Sequence, residues 1–195
     1  AVTYKNDIAI LQVRGPGLYQ EGIEFDISGS IPTIGTSLFH CGSPGGQDIG
    51  FNSLTNGIMS ATGRMIDMGT GARQYDQITC PSLPGSSGGA VVKVSDGAYI
   101  GTLTLGLSGS DSFSWIVPVR RTVEWAGRAG LGYIFDPKVK ALSKEDLGKI
   151  AIESGDDGKV SRDNTTGQPE GSVRKLIWLP ARPAGLRALL THDMP

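Results

Sequence analysis

The sequence predicts an all-β fold of short antiparallel strands, closed by a helix and followed by a polar tail. Glycine makes up 29 of the 195 residues, about twice its usual share, which implies many tight turns. Between residues 7 and 119, six to eight strand-like runs recur at roughly 8–12-residue spacing, the pattern of a sandwich or barrel. Ser95-Asp96-Gly97 separates two apolar runs, and an Asp-Gly step in that setting signals a hairpin.

Asp7-Ile8-Ala9-Ile10-Leu11-Gln12-Val13 reads as a first strand, closed by Arg14-Gly15-Pro16-Gly17. Residues 22–27 alternate with the period of a half-buried strand. Residues 36–41 form a strand ending in the turn Gly42-Ser43-Pro44-Gly45-Gly46, residues 49–62 hold another, and 64–71 resemble a hairpin tip. Residues 75–80, 90–94, 99–105 and 113–119 complete the set, with Pro118 ending the ladder because it has no N–H to donate. Residues 121–129 then predict a helix stopped by Gly130. A second helix is expected over 143–154, where Ser143 stands three residues before Asp146 as a cap. Residues 155–174 are polar and glycine-rich and read as a linker, and apolar character returns at Leu176-Ile177-Trp178-Leu179 and over 186–190.

Composition narrows the function classes. Lys and Arg number 18 against 19 Asp and Glu, a net charge of −1, so no basic excess points to nucleic acid. No apolar run reaches membrane-spanning length, and residues 1–5 show no signal-peptide pattern. Cys41 and Cys80 are too few for a disulfide-built scaffold, and the compartment stays open. No P-loop, paired-cysteine metal spacing or calcium loop is present. Asn164-Thr165-Thr166 forms a sequon that matters only in a secreted protein.

The chemistry concentrates in Pro84-Gly85-Ser86-Ser87-Gly88-Gly89-Ala90-Val91-Val92. A hydroxyl lies among glycines, whose missing side chains let a substrate carbonyl approach backbone N–H groups. Taken alone, the run also fits a Gly/Ser linker, and Asp7 alone also fits a solvated turn.

In combination these pieces resemble the chymotrypsin-like (trypsin-like) serine peptidases, especially the compact bacterial and viral members. Asp7-Ile8-Ala9-Ile10-Leu11 is similar to the family's strand carrying the triad aspartate. Cys41-Gly42-Ser43-Pro44-Gly45-Gly46 is similar to its Gly-Ser-Pro-Gly turn. Gly85-Ser86-Ser87-Gly88-Gly89-Ala90 matches its Gly-x-Ser-Gly-Gly motif with Ser87 in the nucleophile's place. The resemblance spans about residues 4–129. It implies an antiparallel β-barrel of the chymotrypsin-like fold, mainly the second barrel. Residues 1–14 would be the last strand of a first barrel, 15–130 the second barrel with its closing helix, and 131–195 a helix, linker and tail. It implies a serine endopeptidase with Ser87 and Asp7 catalytic and with Gly85 and Ser87 N–H groups as oxyanion donors. Cys80 and Pro81, with Ser82, would form the pocket base, and Leu103, Thr104, Leu105 and Gly106 its wall. The base carries no carboxylate, so the preference expected is for an uncharged or small residue before the cut. No cofactor is implied; the partner is a peptide or protein substrate, and polyprotein processing is a role such relatives fill.

One departure matters. The family places its base histidine before the aspartate, and no histidine precedes Asp7. His40 sits on a strand where the family does not put its base and reads as structural, and His192 lies in the tail. Three explanations stay open: a fragment whose histidine-bearing part lies elsewhere, an inactive relative with a structural or assembly role such as a viral surface or capsid-associated protein, or a substitute base at His40 or His192. Half of a double barrel would expose strand edges, so a missing N-terminal segment or partner chain is expected to cover them.

Overall fold

The computed structural model describes residues 1–3, 5–11, 22–44, 50, 52–67, 71–107, 110, 112–136 and 138–151. Strands β1 (Val2–Thr3) and β2 (Ile8–Ala9) make a small antiparallel ribbon. Six further strands follow: β3 (Ser37–Gly42), β4 (Ser53–Asp67), β5 (Ala72–Ile78), β6 (Ala90–Lys93), β7 (Tyr99–Gly106) and β8 (Ser114–Pro118). They close a barrel in the order β3-β4-β5-β8-β7-β6, with β6 pairing back onto β3. Helix α1 (Val119–Arg128), a single 3-10 turn (Gly132–Ile134) and α2 (Lys144–Lys149) complete the described elements.

The barrel interior is filled by Leu38, Met59, Ile78, Cys80, Val91, Ile100, Leu103 and Ile116. These come from all six strands and the segment after β5, as inward positions alternate with outward ones along each strand. Closure changes one expectation: strands β3–β8 leave no open edge for a partner strand to cover. Apolar side chains that reach solvent include Leu11, Ile34 and Met65.

The first strand is shorter than the sequence suggests, only Ile8–Ala9, and Gln12 and Val13 lie outside the described residues. Residues 22–27 form no strand; Phe25 makes one parallel bridge to Tyr99. The hairpin expected around 64–71 is there: β4 runs on to Asp67, which pairs with Ala72 at the start of β5. The predicted caps hold: Ser143 Oγ accepts from Asp146 N at 3.1 Å, although α2 ends at Lys149. Both cysteines are free and buried. The predicted linker, sequon and apolar tail lie outside the described residues. No helix among those described is long and apolar enough to cross a membrane.

One buried charge pair ties the helix to the barrel. Asp76 on β5 is 1 % exposed and takes both Arg120 nitrogens, Nη1 to Oδ2 at 2.7 Å and Nη2 to Oδ1 at 2.6 Å. Its Oδ1 also accepts Gly63 N–H at 2.9 Å, within the stretch where the β4–β5 register shifts. Removing one partner of such a pair strands the other. Asp76→Ala should therefore lower unfolding stability by about 3 kcal/mol, the low end of the range for broken buried pairs, because Arg120 keeps some contact with water. Urea denaturation followed by tryptophan fluorescence measures it; a loss below about 1 kcal/mol would show that the pair does not lock α1.

Candidate active site

The glycine-rich turn is fixed first by its own backbone. Ser86 N–H donates to Leu83 O at 2.9 Å, and Ser86 Oγ accepts Leu83 N–H at 3.3 Å. Gly89 N–H donates to Ser86 O at 3.0 Å. Two bonds then attach the turn to β7: Gly88 N–H to Leu103 O at 2.7 Å and Leu103 N–H to Gly89 O at 2.9 Å. Gly88 has φ 90°, a left-handed conformation that glycine adopts without penalty. Gly89 is needed for space, because a Cβ there would stand 2.3 Å from Cys41 O and 2.5 Å from His40 Nε2. Among the described residues, the N–H groups of Gly85 and Ser87 have no intramolecular partner.

Attachment to β7 sets Ser87 beside Thr104. Ser87 is exposed, and its Oγ donates to Thr104 O at 3.1 Å. Thr104 Oγ1 in turn donates to Asp7 Oδ2. The structure thus brings together the two residues that the sequence singled out, with Thr104 between them. Thr104 was expected only as pocket wall; its bridging position depends on a contact 97 residues away in sequence, which no local pattern encodes.

Asp7 owes its place to a buried support. It has φ 54°, a region that short polar side chains tolerate. The preceding Asn6 is buried, its side-chain Nδ2 donating to Thr3 Oγ1 at 3.0 Å. Arg121 Nη2 donates to Asn6 O at 3.0 Å, Nη1 donates to Gln74 O at 2.9 Å, and the guanidinium lies 4.7 Å from the Tyr75 ring centroid. This side chain carries the Asp7 turn on α1. Sequence reasoning missed it; the only signal was an arginine next to the apolar stripe of the helix.

The remaining expected residues divide by side. Cys80 and Leu103 belong to the barrel core and are buried, so they support the site from beneath. Pro81 and Gly106 are exposed, and Leu105 is half-buried. Ser82 Oγ lies 2.8 Å from Ser114 Oγ, which donates to Cys80 O at 3.0 Å. A Cβ on Gly106 would stand 2.5 Å from Ser82 Oγ, so the serine hydroxyl occupies the space alongside that glycine.

His40 is 1 % exposed, inside the barrel end and under the turn. Its Nδ1 lies 3.2 Å from Thr55 Oγ1, and neither nitrogen bonds Ser87 or Asp7. Burial pushes its pKa below the ordinary imidazole value, against a smaller raising influence of the Ser86 backbone. His192 lies outside the described residues. The Cys41 and Cys80 thiols are pushed up to about 11 by burial, which keeps them protonated and unreactive near neutrality. No group of side chains among the described residues could hold a metal ion.

A model of the trypsin-like peptidase domain matches residues 1–101. The chain belongs to that family. Among solved structures, this trypsin-like peptidase domain is similar to the HtrA-type protease AlgW with tripeptide, at 24 % identity and a TM-score of 0.52. The match covers 77 % of this chain and 50 % of that one, so the domain spans about half the length of that relative. AlgW with decapeptide matches at 25 % identity and a TM-score of 0.44, over 67 % of this chain and 41 % of that one. No curated protein matches. The family match ends inside β7, whereas the barrel of this trypsin-like peptidase domain continues to Pro118.

Burial of His40 gives the trypsin-like domain a pH signature. The unfolded imidazole takes its proton near 6.5 and the folded one at lower pH, so below 6.5 the unfolded chain binds more protons. Stability is fully present above pH 6.5 and falls as the pH drops further. Urea midpoints measured downward from pH 7 should decline, and His40→Gln should flatten the decline that precedes carboxylate titration; an unchanged slope would show that His40 already carries its charge in the fold.

Proposed function

We propose that this chain is the serine-bearing part of a serine endopeptidase, cleaving peptide bonds by acyl transfer, with its base histidine supplied from outside the 195 residues. The observation that carries this reading is the convergence of Asp7 and Ser87 on Thr104, beside two N–H groups with no partner among the described residues. In the reaction, Ser87 Oγ bonds to the scissile carbonyl carbon while its proton passes to the histidine. The histidine returns that proton to the departing amine, and water then releases the acyl group by the same steps. Asp7 would hold the imidazole in the tautomer that accepts from Ser87. The Gly85 and Ser87 N–H groups would donate to the tetrahedral oxyanion.

Pro81 and Ser82 would form the base of the substrate pocket, with Thr104, Leu105 and Gly106 as its wall and Cys80 and Leu103 packed behind. The Ser82 hydroxyl filling the space beside Gly106 supports a small or uncharged side chain before the cut. The substrate would be a protein, and processing of a longer precursor is one role that fits.

A second reading is an inactive module of the same fold with a structural or assembly role. It is favoured by Ser87 donating to a carbonyl rather than to a base, and by His40, the one histidine described, lying out of reach.

A fluorophosphonate probe applied to the full-length parent protein separates the two. Labelling of wild type, lost in Ser87→Ala and reduced on the order of 10⁴-fold in Asp7→Asn, is the expected result. No labelling of the intact parent protein would leave the inactive module. Peptide-library profiling should show small or uncharged residues before the cut, and a strict Arg or Lys preference would overturn the pocket assignment.

A further inference from the structure

His40 is a buried polar side chain of the site region that the proposed chemistry does not use, and one of its ring nitrogens has no hydrogen-bond partner among the described residues. Its ring is clamped between two glycines: a Cβ on Gly42 would lie 2.8 Å from Cε1 and 2.9 Å from Nε2, and one on Gly89 would lie 2.5 Å from Nε2. The Ser86 carbonyl oxygen stands 2.9 Å from that same Gly89 point, and Nε2 completes no hydrogen bond. A histidine so enclosed, with one nitrogen unpartnered against the backbone of the nucleophile turn, calls for a role there.

We propose that His40 is the positioning residue of the nucleophile turn, carrying its proton on Nε2 toward the Ser86 carbonyl oxygen and thereby aiming the Ser87 N–H outward. The inference rests on the reading of Ser87 as nucleophile. Its geometric basis is the peptide unit. The Ser86 C=O and the Ser87 N–H belong to one planar trans amide, so they point in opposite directions. Whatever holds the oxygen inward turns the N–H toward solvent, where it has no partner among the described residues. Gly89 N–H already occupies one acceptor site of the Ser86 oxygen at 3.0 Å, and a carbonyl oxygen has two.

The tautomer follows from what surrounds each nitrogen. A bare Nε2 would set its lone pair against the carbonyl oxygens of Ser86 and Cys41, which both crowd the Gly89 position. Nδ1 faces the Thr55 hydroxyl at 3.2 Å, which can rotate to donate. Thr55 Oγ1 then gives up its 3.3 Å bond to Pro81 O. Pro81 is exposed, so water can replace that bond, whereas water does not reach the second acceptor site of the buried Ser86 residue, beside the one that Gly89 N–H fills.

Two measurements test this. In the ¹⁵N-labelled 195-residue chain, long-range ¹H–¹⁵N spectra should show His40 protonated at Nε2 with slow exchange; an Nδ1-protonated ring would overturn the proposal. In the full-length parent protein, His40→Leu should slow fluorophosphonate labelling of Ser87 at least tenfold, toward the 10²–10³ seen when one oxyanion donor is lost. His40→Gln, which keeps a donor near the Nε2 position, should recover most of that rate. A His40→Leu protein that melts like wild type and labels at the wild-type rate would overturn the proposal. If wild type itself does not label, the serine-peptidase reading fails and the ring spectrum alone decides His40, as it does if His40→Leu does not fold.

Discussion

Everything at this site depends on two backbone hydrogen bonds, Gly88 N–H to Leu103 O and Leu103 N–H to Gly89 O. They attach a turn that has no regular structure of its own to a strand inside a closed barrel. Because strand side chains alternate, attaching the turn at Leu103 fixes what the next residue does. Leu103 points into the core with Val91 and Ile116, so Thr104 points out, with its carbonyl at Ser87 and its hydroxyl at Asp7. A one-residue slip in this pairing would exchange those faces, burying the threonine and placing a leucine at the carboxylate. The barrel core therefore sets the site register as well as the stability.

The legibility of the sequence follows the range of the interactions involved. The β6–β7 hairpin is local: Asp96 and Gly97 close it, with Gly97 N–H donating to Lys93 O at 3.0 Å, and the turn chemistry announces it. The end of β8 at Pro118 and the helix that follows are also local, since proline has no N–H for the ladder and suits a helix start. The glycine-rich turn of residues 84–89 is legible because glycine is the residue that both its φ angles and its close contacts require. What stayed hidden is non-local. Thr104 and Arg121 gained their places from chain segments about a hundred residues away. The barrel was legible through the family resemblance and not through the strands read one at a time, which do not say whether the last finds the first; among β3–β8 the expected open edge is absent because β6 pairs back onto β3.

Burial also sorts the reactive groups. Two thiols and an imidazole lie close in sequence to the site strands, and any of them could suggest chemistry. The thiols titrate near 11 because the core cannot solvate a thiolate. His40 is enclosed on all sides and faces backbone. That leaves one exposed hydroxyl and one exposed carboxylate, joined through a threonine. The absence of a reachable imidazole among the described residues is thus a matter of position as well as count.

The half-site is nonetheless pre-arranged. Asp7 is carried by Asn6, and Asn6 by Arg121 on a helix that Asp76 and Arg120 lock to β5. None of these contacts involves a second barrel, so the carboxylate holds its place through this chain alone. Ser87 Oγ is turned toward Thr104 O, but that contact is a single exposed hydrogen bond of 3.1 Å, with a net worth of about 0.5–1.5 kcal/mol. Rotation about one side-chain bond would release it to an arriving imidazole, whereas building the turn and the carboxylate support anew would require much of the barrel. The resting direction of the hydroxyl therefore argues little against catalysis, and the supported carboxylate argues more for it, because a buried arginine held by carbonyls and a ring is a costly way to fix a carboxylate that does nothing.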